Sequence, residues 1–329
     1  MTAETAPGTS VPQAPGDRLE RWSVPLAGVS SAMLALVFLL LGPFGTVGLP
    51  FVGVPVVRVA HRRGPGSALL AAAVAAALLT GVSLMGGSTR DLAAPLMTMG
   101  MLAGLPAFFA GLVHDGADPS REYLGLAVSG CVLVAAVMMV PPAQGSRPMA
   151  DEVGAAFDSA IPGLLAQYTE AKVDPETVAR TRAILESFRD FSRRYFLGLV
   201  GSFCVLGSAV TFYTGSRSAR PAPSAERTHF EALVLPAFLA PVFVAAGALW
   251  ALGPGLARQA AGDVLIPLAA LYFVAGLSII CHFARRWFRV MILRVGLYAL
   301  MIYPAIGVGV ALLGLFDWYA GFRRRGEKA

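Results

Sequence analysis

Charged side chains are scarce in this sequence, and lysine is nearly absent. Charged residues make up 14% of the 329 residues, against about 25% in an ordinary soluble domain. Lys172 and Lys328 are the only lysines, so arginine carries almost all of the net charge of +6. The arginines stand at the ends of apolar stretches, which favours anchoring at a membrane surface over a nucleic-acid-binding groove. We therefore expect no nucleic-acid partner.

Cysteine and histidine are too few and too scattered to predict a metal or redox site. Cys131, Cys204 and Cys281 lie far apart in apolar stretches, without a Cys-x-x-Cys or Cys/His spacing. We interpret them as small buried hydrophobic residues. The four histidines are also widely separated. The sequence predicts neither a metal nor a cofactor.

Catalytic motifs are missing as well. The sequence contains no HExxH, no GxSxG and no P-loop pattern. An enzyme that uses the interfacial residues His114, Asp115 and Asp118 is the minority alternative. We predict that the protein is not an enzyme.

Ionisable residues inside the apolar stretches are functional candidates by default, because charge is costly in a membrane. His282 and Arg294 lie near the ends of stretches, Asp263 begins one and Asp317 ends one. None of them belongs to a constellation, and no acid pair or acid–histidine relay is present. A proton pump is therefore disfavoured.

What the sequence does have is a series of apolar stretches, many of about membrane-helix length. Hydrophobic residues make up 56% of the chain, and a membrane helix needs about 20 of them. The sequence predicts an all-α, polytopic transmembrane helix bundle of about 8–10 membrane segments with one amphipathic helical insertion. The predicted segments are 24–42, 44–57, 66–86, 92–113, 122–141, 196–214, 232–252, 263–284 and 290–316.

The number of crossings depends on the first and last apolar blocks. The first is split at Gly42-Pro43, and the last is either one long helix or two short ones divided at Tyr303-Pro304. With nine crossings the basic residues divide evenly between the two sides, whereas eight or ten place most of them on the side of the N-terminus. Because basic residues favour the cytoplasm, we predict an even number, with both termini inside, in a bacterial inner membrane.

These segments define five regions of the chain. We expect a disordered tail, N-terminal membrane helices, a polar amphipathic insertion, C-terminal membrane helices and a basic tail. Their predicted bounds are 1–22, 23–142, 143–195, 196–322 and 323–329.

The polar insertion has helical signals of its own. Asp151 is expected to cap a short helix that Pro162 bends, and Asp174-Pro175-Glu176 is a strong helix start. The helix that follows carries one apolar face, made of Ile184, Phe188, Phe191 and Tyr195. We interpret it as an amphipathic connector at the bilayer interface, with a lid or a partner-docking helix as alternatives.

Small residues and prolines recur within the membrane segments. Small residues let membrane helices pack closely, and a proline kink needs a neighbouring partner or a cavity. Close packing is the favoured interpretation, and a ligand cavity lined by broken helices is the alternative. The prolines concerned are Pro95, Pro106, Pro236, Pro241 and Pro267.

The C-terminal end carries the most distinctive pattern. An aromatic belt is followed by a basic anchor, and the pattern resembles the C-terminal signature of the YybS-like bacterial membrane proteins, with one residue more between Trp and Phe. The matching residues are Gly314, Asp317, Trp318, Phe322, Arg323 and Arg324. Weaker matches are Leu271-Tyr272-Phe273 with Gly276-Leu277, and Pro50 and Pro55 with Arg63-Gly64. The resemblance runs from about 24 to 325.

This resemblance implies no catalytic residues, because the family has no assigned activity. The family is distantly similar to the substrate-binding S components of energy-coupling-factor transporters, which dock a partner through Ala-x-x-x-Ala faces such as Ala72/Ala76 or Ala73/Ala77. The leading hypothesis is therefore binding or transport of an unknown small molecule. The alternative is a non-transporting scaffold that docks a membrane-protein partner. In both cases the lipid bilayer is the surrounding partner.

Overall fold

The computed structural model describes residues 16–41, 48–85, 99–138, 149–219, 230–287 and 304–320. Within these ranges the chain forms eleven α-helices and no strand, which confirms the all-α class. We number the helices α1 (Gly16–Leu40), α2 (Val54–Arg63), α3 (Pro65–Met85), α4 (Leu105–His114), α5 (Pro119–Met138), α6 (Met149–Glu170), α7 (Pro175–Arg194), α8 (Phe196–Ser218), α9 (Leu239–Leu252), α10 (Gly255–Trp287) and α11 (Pro304–Ala320).

Three of these helices are long and apolar enough to cross a bilayer, namely α3, α8 and α10 as far as Ala284. Shorter apolar helices cover Trp22–Phe38, Gly100–His114, Leu239–Leu252 and Ile306–Asp317. Large apolar side chains on their outer faces are exposed, as at Leu70, Val244 and Val308. An outward apolar surface of this kind is stable in lipid and unfavourable in water.

Helix α8 is the centre of the bundle. It packs against α2, α4, α5 and α10, and its Phe212 side chain is fully buried. Gly198 and Gly201 lie against Asp263 and Pro267, so α8 and α10 run parallel. Helix α5 runs antiparallel to α8, since the Tyr123 hydroxyl donates to the Val205 carbonyl at 3.1 Å while Cys131, two turns further along α5, lies near Gly201. The first turn of α8 and the last turn of α5 therefore lie at the same end of the bundle.

The predicted membrane segment 44–57 is wrong. Its described part contains a 3-10 turn at Leu49–Phe51 and the start of α2, a helix of only ten residues. At 1.5 Å per residue α2 is about 15 Å long, too short to cross. It continues past the predicted end at residue 57 to Arg63, because basic residues in a last turn are favoured by the helix dipole.

Other predicted bounds also change. Helix α1 begins at Gly16, within the tail predicted to be disordered up to residue 22, and residues 1–15 lie outside the described ranges. The segment 232–252 is a helix only from Leu239, because Pro236 cannot donate in a helix interior. Helix α10 begins at Gly255 rather than 263. Residues 92–98 and 290–303 lie outside the described ranges, so the division of the last block stays a prediction.

The prolines predicted to kink helices fall into different positions. Pro106 lies in the first turn of α4, directly after a π-helical turn at Gly100–Gly104. Pro241 lies in the first turn of α9, whereas Pro267 stands well inside α10. Pro95 lies outside the described residues. Among these positions, Pro267 lies in the interior of a long membrane helix, which continues through it.

The polar insertion forms a helical hairpin of α6 and α7. The helix start at Asp174 is confirmed, because its carboxylate accepts hydrogen bonds from the backbone N–H groups of Glu176 and Thr177. The predicted cap at Asp151 is wrong. Helix α6 begins at Met149, and Asp151 pairs with Arg193 of α7 at 2.6 Å. Helix α6 continues through Pro162, the proline predicted to bend it, as far as Glu170.

Helices α10 and α11 cross in an antiparallel arrangement through two glycines. A Cβ at Gly276 would overlap the carbonyl oxygen of Val310, and a Cβ at Gly314 would overlap the carbonyl oxygen of Tyr272. Lipid supplies no hydrophobic force between helices, so close packing of this kind supports their association. The two glycines therefore hold α11 against the bundle.

Replacing Gly314 by alanine should lower the thermal stability of the protein. The added methyl group must push α11 away from Tyr272, and overpacking of this kind costs about 1–3 kcal/mol. Gly309→Ala is the matched control on the same helix, because no atom lies within 4 Å of a Cβ at that position. Melting temperatures in detergent would measure both effects. Equal melting temperatures for the two variants would contradict the role of this crossing.

Candidate functional site

An apolar groove runs along the bundle between α5, α8, α9 and α10. Its volume is about 450 Å³. The α5 wall extends from Leu124 to Ala135, about 16 Å at 1.5 Å per residue. Asp263 and Cys131 are the polar side chains of the lining. The others are Leu124, Ala127, Val128, Val132, Ala135, Leu197, Val205, Leu239, Ala260, Val264, Pro267, Leu268 and Leu271.

Asp263 lies near one end of this groove, where α8 begins. Its Oδ1 accepts a hydrogen bond from the backbone N–H of Gly198 at 2.9 Å. Helix α8 has no cap from its own N-cap residue, Tyr195. Asp263 therefore satisfies one of the first N–H groups of α8 from a neighbouring helix.

Pro267 adds a second acceptor at the same level. Because proline has no N–H, it cannot donate to the carbonyl of Asp263 four residues earlier. The carbonyl thus lacks its usual helical donor, and it lies beside a carboxylate. This end of the groove suits a hydrogen-bond donor or a cation, while the rest suits hydrocarbon.

Two of the three cysteines lie at the α5–α8 interface. Cys131 is half-buried in the groove wall, and Cys204 is buried behind it against Gly130. Cys281 lies on α10 and is not part of the groove lining. The Cys131 thiol can therefore serve as a probe of the groove. Its place in the sequence, far from the other cysteines, did not indicate this position.

The end of the bundle next to Asp263 carries an aromatic and cationic junction. The Tyr195 hydroxyl accepts a hydrogen bond from the Trp250 indole at 3.1 Å, and the Arg258 guanidinium lies 5.5 Å from the Trp250 ring centroid. Gln259 donates to the Arg194 carbonyl at 3.0 Å. Tryptophan, tyrosine and arginine are typical of the lipid headgroup level.

The structure brings together residues from the two stretches that resemble a known signature. Gly314 packs on Tyr272, and both line a small space with Asp317 and Pro236. The ring of Tyr272 also packs edge-on against Phe243. Trp318 lies within α11, while Phe322, Arg323 and Arg324 lie outside the described residues. The matched positions seen here are therefore a packing site between α9, α10 and α11.

A buried polar cluster at the opposite end of α8 was missed in the sequence. The His61 ring is fully buried, and its Nε2 lies 2.5 Å from the Ser216 hydroxyl. Ser216 donates to the Phe212 carbonyl at 2.6 Å, so the His61 Nε2 is the donor of the pair. The His114 Nδ1 donates to the His61 carbonyl at 2.9 Å. The cluster joins α2, α4 and α8. The sequence feature that could have indicated it is the position of two histidines in the last turns of helices.

Two of the residues considered for an enzyme make hydrogen bonds to the backbone. His114 binds the His61 carbonyl, and Asp118 accepts a hydrogen bond from the Ser120 N–H at the start of α5. Within the described ranges, no group of three or more His, Cys, Asp or Glu side chains is placed to hold a metal ion.

These features define a helical integral membrane protein with a groove open to an apolar occupant. Residues 29–318 match the family described as "Predicted membrane protein (DUF2232)", and the chain belongs to this family. Comparisons with curated proteins and with solved structures found no match. The family places the protein in a membrane and assigns no activity.

The His61 cluster predicts a pH dependence of stability. Burial lowers the pKa of His61 to about 4, with a smaller effect from His114. The unfolded chain takes up this proton below about pH 6.5 and the folded chain only near 4, so the stabilisation is complete above 6.5 and is lost as the pH falls towards 4. The loss amounts to about 3 kcal/mol.

Melting temperatures between pH 4 and 7 would measure this effect. His61→Gln keeps a donor for Ser216 and removes the titration, so its melting temperature should depend less on pH than that of the wild type. His282→Gln, on α10 outside this cluster, should keep the wild-type dependence. An identical pH profile for wild type and His61→Gln would contradict the argument.

Proposed function

We propose that the protein binds an amphipathic small molecule in the groove between α5, α8, α9 and α10. The observation that carries this proposal is the apolar groove itself, which has two hydrogen-bond acceptors at one end. They are the Asp263 carboxylate and the Asp263 backbone carbonyl, which has no helical donor from Pro267. The apolar part of the ligand lies between Leu124 and Leu271. The role is non-catalytic, since the polar groups of the lining bind and do not form a nucleophile–base pair.

The chemistry of the polar end specifies the class of ligand. Asp263 and its carbonyl are acceptors, so they suit a protonated amine or another strong donor. A carboxylate headgroup is disfavoured by charge repulsion at short range. Gly262, the neighbour of Asp263, packs against the Tyr195 ring. In this proposal the ligand head therefore lies beside the Tyr195–Trp250 junction, at the headgroup level, and its body lies in the hydrocarbon.

Substrate binding for transport is the finer version of this proposal. Pro267 supports it, because this proline removes one backbone hydrogen bond from a membrane helix that lines the groove. The resemblance to the YybS-like family, and through it to S components of energy-coupling-factor transporters, supports it too. Ala73 and Ala77 are exposed on α3, as a partner-docking face requires. Location in a bacterial inner membrane belongs to the same proposal.

A scaffold without transport activity is the second candidate. The observation that favours it is the α6–α7 hairpin, whose charged side chains Arg182 and Glu186 are exposed. A scaffold needs no ligand in the groove, whereas the first proposal requires one. Occupancy of the groove therefore separates the two functions.

Protection of Cys131 from a maleimide tests the groove directly. In a Cys204→Ala, Cys281→Ala background Cys131 is the single thiol. Dodecylamine should slow its modification several-fold, while dodecanoate, with a similar chain and the opposite charge, should slow it much less. Reaction rates in lipid nanodiscs would be followed by mass spectrometry.

Two acid variants complete the experiment. Asp263→Asn keeps an oxygen for the Gly198 N–H and removes the charge, so it should abolish the preference for the amine. Asp317→Asn removes an acid from the packing site around Tyr272 and should leave the preference unchanged. Equal protection by amine and carboxylate, or no protection by either, would overturn the proposal.

A further inference from the structure

Helix α7 presents an exposed apolar face, which we call the hairpin face and define as Ile184, Phe188 and Phe191. These side chains are 61%, 52% and 41% exposed. They follow a four-three spacing, so they lie on one side of the helix. Three large exposed side chains in one row cost solvation free energy in water, and they need an apolar environment.

A neighbouring side of α7, which includes the buried Ser192, is already occupied by α6. Arg189 pairs with Asp158 at 2.8 Å, and Arg193 pairs with Asp151 at 2.6 Å. These ion pairs set the rotation of α7 within the hairpin. They turn the hairpin face away from the polar seam between α6 and α7, while Phe188 still touches Phe157 edge-on.

A single residue links α7, which carries the hairpin face, to the membrane helix α8. Helix α7 ends at Arg194 and α8 begins at Phe196, with Tyr195 between them in a non-helical conformation. The Tyr195 hydroxyl accepts a hydrogen bond from Trp250, and the Arg194 carbonyl accepts one from Gln259. Tryptophan and tyrosine are typical of the lipid headgroup level. Ile184 is eleven residues from Tyr195, so the whole face lies within about 17 Å of this junction.

We propose that the hairpin face lies on the lipid bilayer, in the headgroup region of the leaflet marked by the Tyr195–Trp250 junction. Apolar side chains enter the boundary between headgroups and acyl chains, as in other amphipathic interfacial helices. Arg180, four residues before Ile184, and Arg194 are exposed beside the face and are placed to bind lipid phosphates. The bilayer is favoured over a protein occupant because the chain itself keeps it within reach.

Spin labels would test this docking on the full chain. In a cysteine-free background, labels at Ile184→Cys and Phe188→Cys would be compared with Glu186→Cys, which points about 200° away from Ile184 around the helix. In nanodiscs with anionic lipid, the first two should collide several-fold more with oxygen than with a water-soluble nickel complex. Glu186→Cys should show the reverse.

Two results would overturn the proposal. Nickel accessibility at positions 184 and 188 equal to that at 186 would place the face in water. Protection of 184 and 188 from both reagents would place it against a protein surface. Phe188→Trp with brominated lipids is an independent readout, with strong quenching expected there and weak quenching for Glu186→Trp. The proposal is independent of the groove, since it holds with or without a bound ligand.

Discussion

The hydrogen bond from the Gly198 N–H to Asp263 is the interaction on which the rest of the architecture depends. A helix that starts near a bilayer has several N–H groups without intrahelical partners, and lipid cannot supply them. Asp263 supplies one partner from α10. The bond fixes the first turn of α8 against α10, and with it one wall of the groove and the position of Tyr195. The groove and the hairpin thus share one support.

The remaining bundle is held by close packing and a few polar contacts. Helices α10 and α11 meet at Gly276 and Gly314 with their backbones in contact. The 3-10 turn at Leu49–Phe51 is fastened to α8 because the Thr211 hydroxyl donates to the Pro50 carbonyl. His61 and Ser216 close the other end of α8. In lipid such contacts hold the helices together in place of the hydrophobic effect, because lipid tails are as apolar as the helix surfaces.

The length and apolarity of the segments were enough to predict the class of the fold, and the Asp174-Pro175-Glu176 start was predicted correctly because its signals are local. The prediction of a membrane helix at 44–57 was wrong because hydropathy reports how apolar a stretch is and does not report how long its helix is. It cannot separate a crossing helix from a short one that ends inside the bundle. Asp263 looked like the boundary of a segment, since its partner, Gly198, is 65 residues away. Contacts of that kind cannot be read from local pattern.

The candidate site shows the same division. Cys131 and Asp263 are far apart in the sequence, and only the antiparallel packing of α5 on α8 brings them into one groove. The C-terminal signature could be recognised in the sequence. Its contact with Tyr272 and Gly276 could not be predicted, because it depends on the crossing of α11 and α10. The four histidines are widely separated in the sequence, whereas the packing of α2 on α4 brings His61 and His114 together.

An experimental density map of the protein in lipid nanodiscs, at a resolution that shows acyl chains, would test most directly whether Asp263 supports a ligand groove. We expect elongated density in the groove between α5 and α10, with its polar end against the Asp263 carboxylate. A groove filled by a segment of the chain itself, or an Asp263 carboxylate turned away from Gly198 and the groove, would contradict it.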